Sequence, residues 1–363
     1  MFVLTVAACG EDDTPSAEDE VESTDAAAQQ SQSAAETTAT EEGPDEPTPE
    51  PAAEESEQVT STEGLRIAYL SGSSANTWYA SSREQMQRIA DENGIEMVEF
   101  DAAFDPAAQT AQLQDVIASG EYDGVIVAAV NGPGLIPDIE DALAQGIQIV
   151  VLNTVVGDDL AEGAPQVEGI AASSLAPPVE NGERMGELTV QACEGIDPCR
   201  VVYLYGIKGF PLDVALKEGF DNVLARNPSV NIVAEGEGQY LGPEGGINAI
   251  QDILIAQPEF DVVMGADQSI QGVEIVLGDE DMDDVKLIGL GGSITGLQAV
   301  AEGRWFGVVF GAPGSEGANA MNAMILALTE GTFSGGINPL ANVTDNGLVT
   351  AENVDQFTGQ WDG

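Results

Sequence analysis

From Leu65 onward the chain alternates short apolar runs with amphipathic stretches, and this rhythm leaves few folds open to it. Strands are predicted at 66–70, 95–100, 124–130, 147–152, 200–205, 230–234, 261–265, 285–290 and 305–310. Helices are predicted between them, at about 78–92, 106–119, 134–145, 178–193, 212–226, 244–256, 268–277 and 314–330. Uninterrupted apolar runs suit strands buried on both faces, and their alternation with helices specifies parallel sheets covered on each side. A folded part of about 300 residues exceeds one comfortable core, so two doubly wound α/β domains are expected.

In open parallel sheets, ligands bind beyond the carboxyl ends of the strands. The first such end is the most distinctive: LRIAYL, then SGSSANTWYA, then the helix SSREQMQRIADENG, which sets Ser71, Asn76, Trp78 and Tyr79 between strand and helix. Two large aromatics and an amide are costly to expose, so a binding role is expected for them. The other ends carry Asp101 to Phe104, Asn131, Asn153 with Thr154, Gly206 to Phe210, Gln239 with Tyr240, Ala266 to Gln268, Gly291 to Ser293, and Gly311 to Pro313. Amides, hydroxyls and aromatics suit a neutral, polyhydroxylated ligand, with rings stacking and amides bonding hydroxyls. Of the ten basic residues only Lys208 falls among these positions, which disfavours an anionic ligand.

Composition removes several function classes. There are 63 acidic residues against 10 basic ones, a formal charge of -53 and no histidine. Nucleic acid is excluded as a partner, because phosphate binding needs clustered cations. Histidine-based metal sites, Ser-His and Cys-His nucleophiles and the usual near-neutral general base are missing as well. GLGGSI at Gly289 places Ile294 where the dinucleotide fingerprint needs its third glycine. GGSIT and PGSEG lack the nucleophile-elbow spacing. GDEDMDD at 278–284 has Asp284 in place of the calcium loop's glycine and Leu290 in place of its closing glutamate. No cofactor, no metal and no catalysis are expected.

Residues 10–63 contain no Lys, Arg or aromatic residue and cannot bury enough apolar surface to offset ordering entropy. A tether is expected there, with a root-mean-square span of roughly 40 Å. VAAC, ending at Cys9, resembles the lipobox of bacterial lipoproteins, with 1–8 the remnant of a signal peptide and Cys9 the lipidated residue. Held in this way, the protein would sit outside the cell membrane, at the cell surface or in a periplasm. In an exported chain Cys193 and Cys199 read as a small disulfide loop, a redox pair being the alternative.

These segments resemble the sugar-binding proteins of bacterial ABC importers, the periplasmic type I family typified by ribose- and xylose-binding proteins. The likeness runs over about 65–357 and rests on the opening strand with its Asn76 turn, YDGVIVAAVN at 122–131, GIQIVVLNT at 146–154, LKEGFDNVL at 216–224, GADQSIQG around Asp267, LIGLGGS at 287–293 and LVTAENVD at 348–355. The resemblance implies two lobes joined by a hinge that the chain crosses three times, near Ser173, Gly311 and Gly335. The lobes would be 64–173 plus 312–335 and 174–311 plus 336–363, following a tether at 9–63.

It also implies a sugar ring held between Trp78 or Tyr79 and Tyr240. Asn76 matches a hydrogen-bonding amide; Asn153 and Thr154 stand where an acid and an arginine are common. Val214, Ala266, Gly291 and Gly311 replace an arginine, an asparagine, an aspartate and a glutamine frequent in sugar binders. A larger ligand in the freed space, or a less polar one, is implied. The expected partners are a small neutral carbohydrate-like ligand, an ABC permease with its ATPase, and the membrane through a lipid anchor only; a monomer is expected. A receptor presenting a sugar-like signal to a sensor kinase or chemoreceptor is the alternative, and a glycosidase using Asp101, Asp213 or Asp267 a more distant one.

Self-repulsion at this charge is screened by salt. The acidic surface is therefore expected to be an adaptation to saline surroundings: the melting temperature should rise between dilute buffer and molar potassium chloride, whereas a flat or falling dependence in thermal scans would contradict it.

Overall fold

In the computed structural model the described residues are 61–363, so the signal-peptide remnant, Cys9 and nearly all of the tether lie outside them. The chain begins β1 (Arg66–Ser71), α1 (Thr77–Glu92), β2 (Glu96–Asp101), α2 (Pro106–Ser119), β3 (Gly124–Val127), α3 (Gly132–Ala144), β4 (Gln148–Leu152) and β5 (Ala172–Ser174). It continues through α4 (Pro178–Ala192), β6 (Cys199–Tyr205), α5 (Pro211–Leu224), β7 (Val230–Glu237), α6 (Pro243–Ala256), β8 (Val262–Ala266), α7 (Asp267–Asp279), β9 (Lys286–Gly291), α8 (Ile294–Ala301) and β10 (Gly307–Phe310). The last elements are α9 (Pro313–Glu330), β11 (Gly335–Ile337) and β12 (Leu348–Thr350).

Two six-stranded sheets result, ordered β11-β5-β4-β3-β1-β2 and β12-β10-β9-β8-β6-β7. Every pairing is parallel except that of β12 with β10. The same strand order occurs in both, as two copies of one doubly wound plan would give. Sheet membership changes after β5, after β10 and after β11, so the chain passes between the lobes at three places. Cys193 and Cys199 form a disulfide across the connection from α4 to β6.

Burial explains why these segments are strands. Ile67, Ala68, Tyr69, Leu70 and Ser71 of β1 are inaccessible on both faces, as parallel strands under two helical layers must be. Leu113, Val125, Ile139 and Ile149 pack on one face of the first sheet, and Met86, Ile126, Met321 and Met324 on the other. The second sheet repeats this, with Ile250, Val263, Ile270 and Trp305 on one side and Met185, Leu216, Phe220 and Met264 on the other.

The differences from the sequence reading have simple causes. β5 and β11 are only ASS and GGI, too short and too polar for an apolar period. β3 ends at Val127, and the apolar residues Ala128 to Val130 leave the sheet while staying buried. α8 has eight residues, about two turns, and its pattern merges with the neighbouring strands.

Helices α4 and α5 meet through glycines. A Cβ on Gly182 would lie 2.1 Å from the Leu216 carbonyl oxygen, and one on Gly219 would lie 2.0 Å from that of Val179. Gly278 in α7 has open space around it instead. Gly219→Ala is therefore expected to cost at least about 1–3 kcal/mol through overpacking, while Gly278→Ala gains about 0.5–1 kcal/mol; denaturant melts of the two variants check both signs.

Candidate functional site

The carboxyl ends of the two sheets face each other across a cavity with about 90 Å³ available to the centres of water-sized molecules. Aromatic rings dominate its wall, supplied by Trp78, Tyr79, Phe104, Phe210, Tyr240, Phe310 and Trp361. Polar groups are fewer: Asn76, Asn153, Asn181, Gln268 and Glu316. No Lys or Arg lines it, and Lys208, the basic residue the sequence placed among the strand ends, is exposed and paired with Glu235 at 3.2 Å.

Local backbone chemistry sets each wall. Asn76 caps α1, accepting the Tyr79 N–H on Oδ1 at 3.0 Å, and its Nδ2 donates across the cleft to the Tyr240 carbonyl at 2.8 Å. One side chain thus starts the helix that carries Trp78 and Tyr79 and ties the two lobes together. Phe104 and Asn153 sit at positive φ, 59° and 63°, an uncommon conformation for residues other than glycine and more accessible to Asn. Phe104 packs against Phe210 and Tyr240 of the opposite lobe, with ring centroids 6.2 and 6.3 Å away.

Glycine leaves space for the rings. A Cβ on Gly206 would meet the Tyr240 ring at 1.9 Å, one on Gly291 the Trp361 ring at 2.4 Å, and one on Gly311 the Trp78 ring at 2.3 Å. The sequence offered two readings of the lost polar anchors at Gly291 and Gly311, a larger ligand or a less polar one. Indole rings fill that space, so the wall is less polar rather than wider. Val214 is half exposed and is absent from the lining.

Two carboxylates belong to this arrangement. Glu316, in the first turn of α9, accepts from Trp78 Nε1 and from Asn153 Nδ2, each at 3.1 Å and both on Oε2. Asn153 Oδ1 in turn accepts from the Tyr79 hydroxyl at 3.3 Å. Burial pushes the Glu316 carboxyl up to about 7, against the opposing pull of those donors. Asp213 accepts from the Gly206 and Ile207 N–H groups at 2.6 and 3.1 Å and from the Tyr240 hydroxyl at 3.1 Å. Its carboxyl is raised to about 6, again by burial.

Of the residues singled out from the sequence, Asn76, Trp78, Tyr79, Asn153 and Tyr240 share the cavity. Ser71, Thr154 and Asp267 are not on its lining. Ser71 is sealed within β1; Thr154 donates to the Ala129 carbonyl at 2.8 Å. Asp267 accepts the Ser293 N–H at 2.7 Å, and a Cβ on Gly289 or Gly296 would collide with it, so it holds the turn after β9 from beneath.

Phe104, Phe210 and Gln268 lay within strand-end segments without being singled out. Glu316 and Trp361 were missed. A first-turn acid ordinarily serves the helix dipole in water, and nothing local in TGQWDG shows that its indole reaches the site. Trp361 is held there by Nε1–H donation to the Gly291 carbonyl at 3.0 Å and by the Ile294 N–H to its own carbonyl at 2.8 Å.

Comparison with known proteins agrees with this architecture. A family model described as periplasmic binding protein domain matches residues 67–332. The xylitol-binding protein of Mycolicibacterium smegmatis is 25% identical over 234 residues, which is 64% of this chain but only 63% of that protein's length. The ribose import binding protein RbsB of Salmonella typhimurium is 24% identical over 260 residues, 70% of this chain and 82% of its own. A solved ABC transporter solute binding protein from Mycobacterium smegmatis, with bound glycerol, aligns at a TM-score of 0.69 and 22% identity. It covers 83% of this chain and 99% of that one.

Glu316, Asp213 and Asp267 all have folded-state values above their ordinary 4.5, 3.8 and 3.8, reaching about 7, 6 and 6. At these three groups the folded chain therefore holds more protons than the unfolded one between about pH 4 and pH 7, and the stability they contribute is full below that range and lost as pH rises through it. Glu316→Gln is expected to flatten the upper part of this fall and to melt above the unmodified protein at pH 8, the shift of Glu316 corresponding to roughly 3 kcal/mol; melts from pH 4 to pH 8 read the difference.

Proposed function

Because the chain belongs to the periplasmic binding protein domain family and has its two-lobed α/β fold, we propose that it is the solute-binding component of an ABC importer. It captures a sugar or sugar-like solute between its lobes and delivers it to a membrane permease with its ATPase. The observation that carries this reading is the cavity itself, closed by both lobes and walled by rings from each. Ring faces stack on the apolar faces of a pyranose, furanose or polyol, and Asn181 and Gln268 offer amides to its hydroxyls. An anion finds no Lys or Arg on the wall to receive it.

Binding requires no chemical step. A ligand favours the closed arrangement only through contacts it makes with both lobes. In the closed state those contacts add to the Asn76 bond to Tyr240 and to the edge-on contact of Trp78 with Trp361, whose centroids are 5.4 Å apart. The lipobox-like VAAC ending at Cys9 and the acidic segment after it support a lipid anchor with a long tether, outside the cytoplasmic membrane. The binding unit acts as a monomer in this reading.

Calorimetry with a panel of pentoses, hexoses and alditols is expected to find at least one tight ligand, and Trp78→Ala to weaken it at least tenfold. Silence across the whole panel, with some other class of solute binding well, would overturn the carbohydrate assignment.

A further inference from the structure

Most polar groups on the cavity wall are already committed within the protein. Both ends of the Asn76 side chain are used, and the Tyr79 and Tyr240 hydroxyls donate to Asn153 and Asp213. Two buried side chains are left to meet a ligand. Gln268 is 2% exposed and lines the cavity, with no side-chain hydrogen bond among the described residues. Glu316 is also 2% exposed and receives both of its side-chain donors on Oε2; with the Ala176 backbone N–H as a further donor, the carboxylate, which can accept about four hydrogen bonds, keeps an acceptor position on Oε1.

A buried carboxylate with no cation beside it is expensive unless something compensates it. The groups facing Glu316 are Trp78 and Tyr79 of α1, Asn153 after β4 and Ala176 after β5. Tyr79 is the titratable one among them, and burial keeps its phenol neutral. The other carboxylate at the cavity is Asp213, behind Tyr240. The surrounding rings present negative faces, which attract cations. The protein's own formal charge of -53 draws cations toward it over longer range.

We infer that the cavity selects a cationic polyol: a small hydroxylated molecule whose ammonium group is received by Glu316 Oε1 among the rings of Trp78 and Tyr79, with a hydroxyl on Gln268. This rests on the carbohydrate reading and replaces the neutral ligand expected from the sequence with an amine-bearing one. The positive charge supplies the counter-ion that the fold withholds, and Glu316 thereby becomes the residue that sets charge specificity.

The test compares matched pairs on the full chain by calorimetry: D-glucitol with N-methyl-D-glucamine, and xylitol with 1-amino-1-deoxyxylitol. Alkylammonium groups titrate near lysine, at about 10, so these ligands keep their charge over the range used. At pH 8 the amine of each pair is expected to bind at least tenfold tighter than its neutral twin. That preference should shrink as pH falls through about 7, where Glu316 takes up its proton. Near pH 7, binding of the amine should release part of a proton, read as a dependence of the enthalpy on the ionisation heat of the buffer.

Glu316→Gln should abolish the preference, its folding checked by circular dichroism; the pH and buffer series on the unmodified chain give an answer even if that variant does not fold. Neutral alditols binding as well as their amines at pH 8, or amine binding without proton release, would overturn the inference and leave the carbohydrate reading standing. Neither member of any pair binding, with no sugar of the wider panel binding either, would remove both.

Discussion

The site depends on a steric arrangement in which large rings lie directly on backbone that has no side chain. Tyr240 covers Gly206, Trp361 covers Gly291 and Trp78 covers Gly311, each at a distance that even one methyl group would forbid. The rings' hydrogen bonds then fix their orientation: Tyr240 to Asp213, Trp361 to the Gly291 carbonyl, Trp78 to Glu316. Packing and polarity are thus coupled. Enlarging any of the three glycines would displace a ring, and with it the partner of a buried polar group.

The electrostatics run opposite to the composition. A chain with 63 acidic residues keeps Asp213, Asp267 and Glu316 almost wholly out of water and compensates them with N–H and O–H donors in place of basic side chains. The few cations are used elsewhere. Arg66 bridges Glu96 and Glu121, Arg200 bridges Glu259 and Asp261, and both lie at the amino ends of strands, away from the cavity. Low dielectric surroundings strengthen the hydrogen bonds to the buried acids and raise the cost of ionising them.

The sequence displayed the fold because strands such as RIAYL and GVIV are apolar on both faces and the helices between them keep their period. It displayed half of the site for a related reason: Asn76, Trp78, Tyr79, Asn153 and Tyr240 stand at strand ends, where the topology brings side chains together. Glu316 and Trp361 were hidden by a different kind of dependence. Each acquires its place only through partners far away in the chain, Glu316 through Trp78 and Asn153, and Trp361 through Gly291 and Ile294. Ser71, Thr154 and Asp267 show the converse, since a strand-end position does not determine which way a side chain faces.

The three passages between the sheets, after β5, β10 and β11, also govern how the lobes can separate. A single linker would leave two bodies free to swivel, roll and bend about it. Three connecting segments between the same two bodies restrain swivelling, because it would stretch one while slackening another. Bending about the line through them is the soft coordinate that is left. Opening therefore works like a door on several pins. Separation of the lobes along that coordinate would break the Asn76 bond to the Tyr240 carbonyl, which spans them.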